Sequence, residues 1–227
     1  HAQYGVVPVE NSTEGAVGRT LDLLFGSPLK ICGEVVLRIH QHLMTRETSL
    51  SDITRVYSHA QSLAQCHEWL NRSLPGVARI SVGSNAEAAR LASIEPGTAA
   101  IAGEAASERY DLPRLVESIE DEPNNTTRFV VIARHDAGRS GVDKTSLIMS
   151  ASNRPGAVHE LLAPFADAGV SMNRLESRPA RAALWEYVFY VDVEGHRDDP
   201  AVKAALDALA SRAAFLKVLG SYPQAVY

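Results

Sequence analysis

The residues of this chain best suited to chemistry stand where strands end and helices begin. Tyr57-Ser58-His59-Ala60-Gln61 turns a short apolar strand into a helix, placing Ser58 and Gln61 where unpaired backbone N–H groups favour an anion. Ser84-Asn85-Ala86-Glu87 opens a second helix in the form of a capping box. Asn125-Thr126-Thr127-Arg128 leads into the strand Phe129–Ile132 and sets a guanidinium beside a hydroxyl, while Glu10, Asn11 and Ser12 follow the apolar strand Tyr4–Val9. Each group also has a plainer account. Ser84 can be a cap that Glu87 completes, and Ser58 can be a cap as well. Glu10 can be a surface carboxylate, Arg128 can pair with the acidic turn Glu120-Asp121-Glu122, and His59 is expected as a buried, hydrogen-bonded histidine. Arg38, His40 and His42 alternate with Val35, Leu37, Ile39 and Leu43 across Glu34–Met44, which predicts one strand whose basic side is its solvated face.

The elements that must position these groups follow from periodicity. Val17, Leu21, Leu24 and Phe25 recur at helical spacing, with Gly26 as the expected C-cap. Leu63, Cys66 and Leu70 give the helix after Ser58 its apolar face, and Ala99–Gly103 reads as a buried strand. Strands alternating with helices predict a parallel α/β architecture. The polar, glycine-rich segment His135–Gly141 is the expected linker. Beyond it come a strand over Lys144–Ser150, a helix over Ala157–Asp167, strands over Ser171–Pro179 and Glu186–Glu194, a helix starting at Pro200, and a strand over Phe215–Leu219. That order, βαββαβ, predicts a ferredoxin-like unit.

Bulk properties narrow the function. With 227 residues, 45% of them hydrophobic and 22% charged, the chain can bury a real core. A formal charge of −5 exerts no general pull on nucleic acid or a membrane surface, so an anion must be held by local donors. Cys32 and Cys66 lack any metal-ligand spacing, so neither a disulfide framework nor a zinc site is expected, and a reducing cytoplasm fits. No apolar run reaches membrane-spanning length and no signal peptide is visible, so the two Asn-x-Thr matches at Asn124 and Asn125 read as chance. The chain starts at His1 and enters a strand almost at once, which reads as a fragment.

Four segments then stand in a familiar order: Val7-Pro8-Val9-Glu10-Asn11-Ser12, Tyr57-Ser58-His59-Ala60-Gln61, Ser84-Asn85-Ala86-Glu87-Ala88-Ala89 and Asn125-Thr126-Thr127-Arg128-Phe129. Together they resemble the prephenate dehydratases, and the closing unit resembles an ACT domain whose Glu176-Ser177-Arg178-Pro179 matches the ESRP motif of the phenylalanine-sensing kind. The resemblance covers essentially the whole chain. It implies an α/β fold in which residues 1–137 form part of a two-lobed, periplasmic-binding-protein-like dehydratase domain, with the active site in the cleft between lobes, and residues 144–227 form the ACT domain. The dehydratase domain is expected to be incomplete, because several dozen residues precede the Glu10 motif in the family.

The implied reaction converts prephenate to phenylpyruvate in phenylalanine biosynthesis, without metal or organic cofactor. By resemblance, Thr127 hydrogen-bonds the leaving hydroxyl, and Glu10 and Asn11 orient substrate or feed a proton. Ser58 and Gln61 complete the catalytic set, and Ser12, Ser84, Asn85 and Arg128 bind substrate. L-phenylalanine is the expected effector, bound by Asn153, Pro155, Gly156 and Ala157 in a loop and by Leu175, Glu176, Ser177 and Arg178 on a strand. Family members commonly have Gly-Ala-Leu-Val where this chain has Gly156-Ala157-Val158-His159, with His159 expected to face solvent. A homodimer through ACT domains is expected, with a tetramer as the larger alternative, and neither nucleic acid nor membrane as partner. The rival readings are an arogenate dehydratase and a non-catalytic small-molecule-binding protein.

Overall fold

The computed structural model describes residues 2–180 and 187–225. In chain order its elements are β1 (Gly5–Asn11), β2 (Gly15–Ala16), α1 (Gly18–Gly26), β3 (Lys30–Arg38), β4 (His42–Thr45), β5 (Arg55–Ser58), α2 (Ala60–Gln65), α3 (His67–Ser73), β6 (Ala78–Ser81) and α4 (Asn85–Ala92). They continue with β7 (Thr98–Ala102), α5 (Glu104–Tyr110), β8 (Arg114–Val116), β9 (Thr126–Ala133), β10 (Asp143–Ser150), α6 (Ala157–Asp167), β11 (Met172–Pro179), β12 (Tyr187–Glu194), α7 (Pro200–Ala210) and β13 (Phe215–Pro223). The expected start of β12 at Glu186 lies outside the described residues. By packing the chain forms two units, His1–Leu37 with Thr127–Tyr227, and Arg38–Thr126.

In the first unit, β2-β1-β9-β3 make one sheet and β11-β12-β10-β13 make a second. The second sheet carries the βαββαβ order, with its recorded pairs antiparallel. The apolar sides of α6 and α7, among them Leu161, Phe165, Val202 and Leu209, bury one face against Leu147, Met149, Val191 and Val193. The opposite face is also covered. Ile148, Val188, Tyr190, Leu219 and Tyr222 join Val9, Leu21, Leu24, Ile31 and Val130 in a single core cluster. Thus the ACT-like sheet is packed between its own helices and the elements that begin the chain. Gly220 marks the closest approach, since a Cβ there would lie 2.9 Å from both N and C of Ile31.

Helix α1 ends differently from expectation. Gly26 is its last residue and the extended Ser27 is the C-cap. The orphan carbonyls are met from β13 instead, where Lys217 Nζ donates to the oxygens of Leu24, Phe25 and Ser27 at 2.7–3.0 Å.

The second unit is a mixed sheet in the order β6-β5-β7-β4-β8. Strand β5 runs parallel to β6 and β7, as the alternating pattern predicts, but β4 runs antiparallel to β7. The expected single strand Glu34–Met44 is in fact two, β3 and β4, in different sheets. Its alternation therefore does not describe one face: Val35 and Leu37 are exposed, whereas His42 is buried. Burial, together with nearby Arg114, lowers the pKa of His42, whose Nδ1 accepts from Ser118 N at 3.1 Å. The predicted helix through Leu63, Cys66 and Leu70 is likewise broken at Cys66, where the Asp121 carboxylate takes the N–H groups of Glu68 and Trp69 and starts α3 afresh. Each unit holds one free cysteine, half-buried Cys32 in the first and buried Cys66 in the second. Among the described residues no helix is long and apolar enough to cross a membrane.

Candidate active site

The polar end of the first sheet is set by register. Strands β1 and β9 pair antiparallel with Asn11 opposite Thr127 and Glu10 opposite Arg128, after a register shift between Pro8 and Glu10. Asn11 Nδ2 donates to Thr127 Oγ1 at 2.9 Å. The other end of that amide is fixed by the turn it heads, because Asn11 Oδ1 accepts from Thr13 N, Thr13 Oγ1 and Glu14 N at 2.7–3.1 Å. The network thereby assigns which amide atom faces the threonine. With Oγ1 accepting from Asn11, the Thr127 hydroxyl keeps its own proton to donate. Ser12 is exposed in the turn that Asn11 heads.

Arg128 does not meet the acidic turn. Its Nε lies 2.7 Å from Glu34, its Nη1 2.6 Å from Asp192 and its Nη2 2.9 Å from the Tyr222 hydroxyl. Burial opposes its charge, but the Asp192 and Glu34 carboxylates outweigh that and hold its pKa above the ordinary value. Those contacts commit three of the five guanidinium N–H groups to partners within the protein. The acidic turn serves the second unit instead: Glu120 accepts from Gln41 N at 2.9 Å and meets His40 at 2.8 Å. Glu10 is two-fifths exposed, with Oε2 3.7 Å from Arg128 Nη1 and 3.4 Å from Arg174 Nε.

The second unit gathers a separate polar cluster. Ser58 is buried and is not a cap; its Oγ lies 2.7 Å from the Ile101 carbonyl and 3.0 Å from Asn85 Oδ1. The cap of α2 is His59, which is exposed rather than buried, its Nδ1 accepting from Gln61 N at 3.3 Å. Asn85, at the start of α4, also takes the His59 N–H and donates to Ser62 Oγ at 2.9 Å. Ser84 is the cap of α4, accepting from Glu87 N at 3.0 Å. The capping box is only half built, because the Glu87 carboxylate turns to Arg90. Gln61 is exposed on the first turn of α2. Three members of this cluster lie outside the expected set: Ser62, Gln65 and Gln41, whose Nε2 donates to both of the others at 3.2 Å. Ser62 and Gln65 stand three positions apart on α2, a helical spacing that the sequence displays. Gln41 arrives by tertiary packing alone and has no such signal.

The expected effector residues divide by strand geometry. Side chains on β11 alternate: Leu175 and Ser177 are exposed, whereas Glu176 and Arg178 turn inward. Leu175 and Ser177 pair with Val191 and Phe189, on the face that α6 and α7 cover. Arg178 goes to the other side, where its guanidinium reaches Asp22 at 3.1 Å and lies over Gly18, so that a Cβ there would have to push it aside. The side chains of the four strand residues thus divide between the two faces of the sheet. In the loop, Gly156 adopts φ +80° as the residue before α6. Asn153, Arg154 and Ala157 line a cavity of about 140 Å³ together with Tyr187 and Phe189, and Pro155 and His159 are exposed beside it.

No cluster of three or more His, Cys, Asp or Glu side chains that could hold a metal exists among the described residues. The family model for prephenate dehydratase matches residues 1–137. The chain belongs to the prephenate dehydratase family. A second model, for the ACT domain, matches residues 145–211. The chain is 58% identical to a bifunctional chorismate mutase/prephenate dehydratase of Neisseria gonorrhoeae over 99% of its own length and 63% of that relative's. Its fold is similar to the crystal structure of a prephenate dehydratase in complex with L-Phe from Arthrobacter aurescens, with TM-score 0.88 and 35% identity over 98% of this chain and 75% of that one. It is also similar to a structure described as a novel type of quorum-quenching acylase, GqqA, with TM-score 0.87 and 30% identity over 99% of this chain and 83% of that one. The chain spans only 61–63% of the length of the bifunctional dehydratase relatives it matches.

Proposed function

We propose that this chain carries the dehydratase activity of its family, converting prephenate to phenylpyruvate as a carbon–oxygen lyase of phenylalanine biosynthesis in the cytoplasm. The observation that carries the reading is the oriented pair Asn11–Thr127, in which a half-buried hydroxyl is held at 2.9 Å with its proton left to donate. In the reaction the bond to the ring carboxylate breaks and releases CO₂. Its electron pair enters the ring, the ring carbon–oxygen bond breaks, and hydroxide leaves as water once it receives a proton. Aromatisation supplies the driving force, so a positioned donor to the leaving oxygen is what the protein must add. Thr127 is that donor, Asn11 fixes its rotamer, and Glu10 is the neighbouring carboxylate that orients substrate or relays a proton taken up from solvent toward the leaving group. Ser58 and Gln61 keep the catalytic roles, and Ser84 and Asn85 the substrate-binding roles, that the family likeness implies.

The ACT domain is the phenylalanine sensor in this reading. Support comes from the loop cavity at Asn153, Arg154 and Ala157, from Leu175 and Ser177 on the helix-covered face, and from the phenylalanine in the Arthrobacter relative. Strand β11 is an edge of its sheet, so its open side can pair with a second copy and form the expected dimer.

Fold similarity alone does not fix chemistry, as the GqqA likeness illustrates, so the product must be followed directly. The test is phenylpyruvate formation from prephenate, with and without L-phenylalanine, and with arogenate as the competing substrate. Turnover of prephenate that phenylalanine suppresses is expected. Thr127→Ala should lose about 10²–10⁴-fold in kcat, the usual worth of a positioned proton donor. A higher specificity constant for arogenate would transfer the assignment to that substrate, and full turnover by Thr127→Ala would end the role given to Thr127.

A further inference from the structure

We propose that Arg174, a residue of the ACT sheet, is a positioning residue for Glu10 and carries effector occupancy to the catalytic pair. The inference rests on the dehydratase reading above. Three ion pairs link four charged groups in a chain, whose ends lie side by side in the ACT sheet. Glu10 Oε2 lies 3.4 Å from Arg174 Nε and 3.7 Å from Arg128 Nη1, and that same Nη1 lies 2.6 Å from Asp192. Asp192 is the register partner of Arg174 in the pairing of β11 with β12. Two members thus come from β1 and β9, and two from the ACT sheet. Glu10 adjoins Asn11 in β1, and Arg128 adjoins Thr127 in β9, so the chain of ion pairs reaches both strands one residue from the hydrogen bond that orients the reactive hydroxyl.

The placement on β11 makes Arg174 the natural carrier. Successive strand residues point to opposite faces, so Arg174 projects toward Glu10 while Leu175, the next residue, projects toward the proposed phenylalanine side. A shift of this edge strand that accommodates a ligand on one face must displace the guanidinium on the other. Arg174 is also incompletely bonded: its Nη2 is buried and makes no hydrogen bond. A buried donor left unpaired is unfavourable, and one retained at such a place leaves the guanidinium able to follow a moving carboxylate without breaking a second contact.

The test uses Arg174→Met and Arg174→Lys in the full chain. Arg174→Met should lower kcat about 10- to 100-fold, the effect of a small misplacement, with KM for prephenate nearly unchanged, and Arg174→Lys should restore most of the loss. Hydrogen exchange supplies a readout independent of turnover. L-phenylalanine should change exchange in peptides covering residues 5–16 and 126–133 of the wild type and of Arg174→Lys, and leave them unchanged in Arg174→Met, although calorimetry shows phenylalanine still bound. Should Arg174→Met fold poorly, Glu10→Gln removes the same ion pair from its exposed end and must abolish the same response. Full turnover by Arg174→Met, or a phenylalanine response in these peptides that it keeps, overturns the proposal, as does the lack of any such response in the wild type. A wild type that shows the exchange response but forms no phenylpyruvate would instead refute the dehydratase reading and leave the coupling through Arg174 standing.

Discussion

Glu34 shows how much of the first unit depends on a carboxylate that no motif marks. Its side chain is 3% exposed and accepts from Arg128 Nε, Lys144 Nζ and Ala225 N at 2.7–3.0 Å. Burial opposes its ionisation, but the Ala225 N–H, Lys144 and Arg128 prevail and hold its pKa below the ordinary carboxylate value. A folded-state pKa below the unfolded one means that the folded protein binds fewer protons, so this stabilisation is complete above the unfolded value and is lost as pH falls through the folded one. Glu34→Gln should therefore cost about 3–5 kcal/mol at neutral pH, since it leaves two buried cations short of a partner. Urea unfolding should show the gap between wild type and variant closing below about pH 4.3, the free carboxylate value. A gap that stays constant down to acid pH would show that the charge of Glu34 is not what stabilises the cluster. Neither Glu34 nor Asp192 is legible as a partner of Arg128 in the sequence, because the pairings span 94 and 64 positions and follow no period.

At the scale of elements, what was legible was periodicity, and what was not was pairing. The βαββαβ order of the closing unit follows from alternation and helical spacing, and each of its elements begins within a residue or so of expectation where the structure describes it. Glu34–Met44 alternates just as well, yet its halves join different sheets, because a strand pattern records which side chains are apolar and not which neighbour supplies the hydrogen bonds. The same limit applies to β11: its motif is contiguous in sequence, but the strand sends alternate members to opposite faces. Gly220 is a sharper case, since an isolated glycine in a strand gives no hint that Ile31 of β3 lies against it. Gly220→Ala brings a methyl group against backbone atoms, which cannot rotate away, and should destabilise by about 3 kcal/mol or more. A Gly220→Ala chain with the wild-type urea midpoint would mean that β13 and β3 separate without penalty.

Over the whole molecule, composition places the joint at His135–Gly141, and the two family models divide along the same line. Packing cuts elsewhere. The first 37 residues join the ACT sheet in one core, and residues 38–126 form a unit with cores of their own. A linear reading cannot see this, because the segments that share Val9, Ile31, Val130 and Tyr222 lie far apart in the chain. Of the candidate site, the sequence exposed the polar groups themselves, but which of them bond to one another depends on register and turn geometry. The two cysteines turn this division into something measurable by simple alkylation. Only a thiolate reacts. Burial, aided by Asp121 and Glu120, pushes the Cys66 thiol up to about 12, and burial raises that of Cys32 more modestly while its Sγ rests 3.5 Å from the Val131 carbonyl. In native buffer Cys66 should label only through opening of the residue 38–126 unit, with a steep rise as urea is added, whereas half-buried Cys32 should label sooner and with a shallower rise. Two thiols on one chain then act as separate clocks, one for each unit, and a shift in only one of them on adding L-phenylalanine would tell which unit responds to the ligand proposed for the ACT domain.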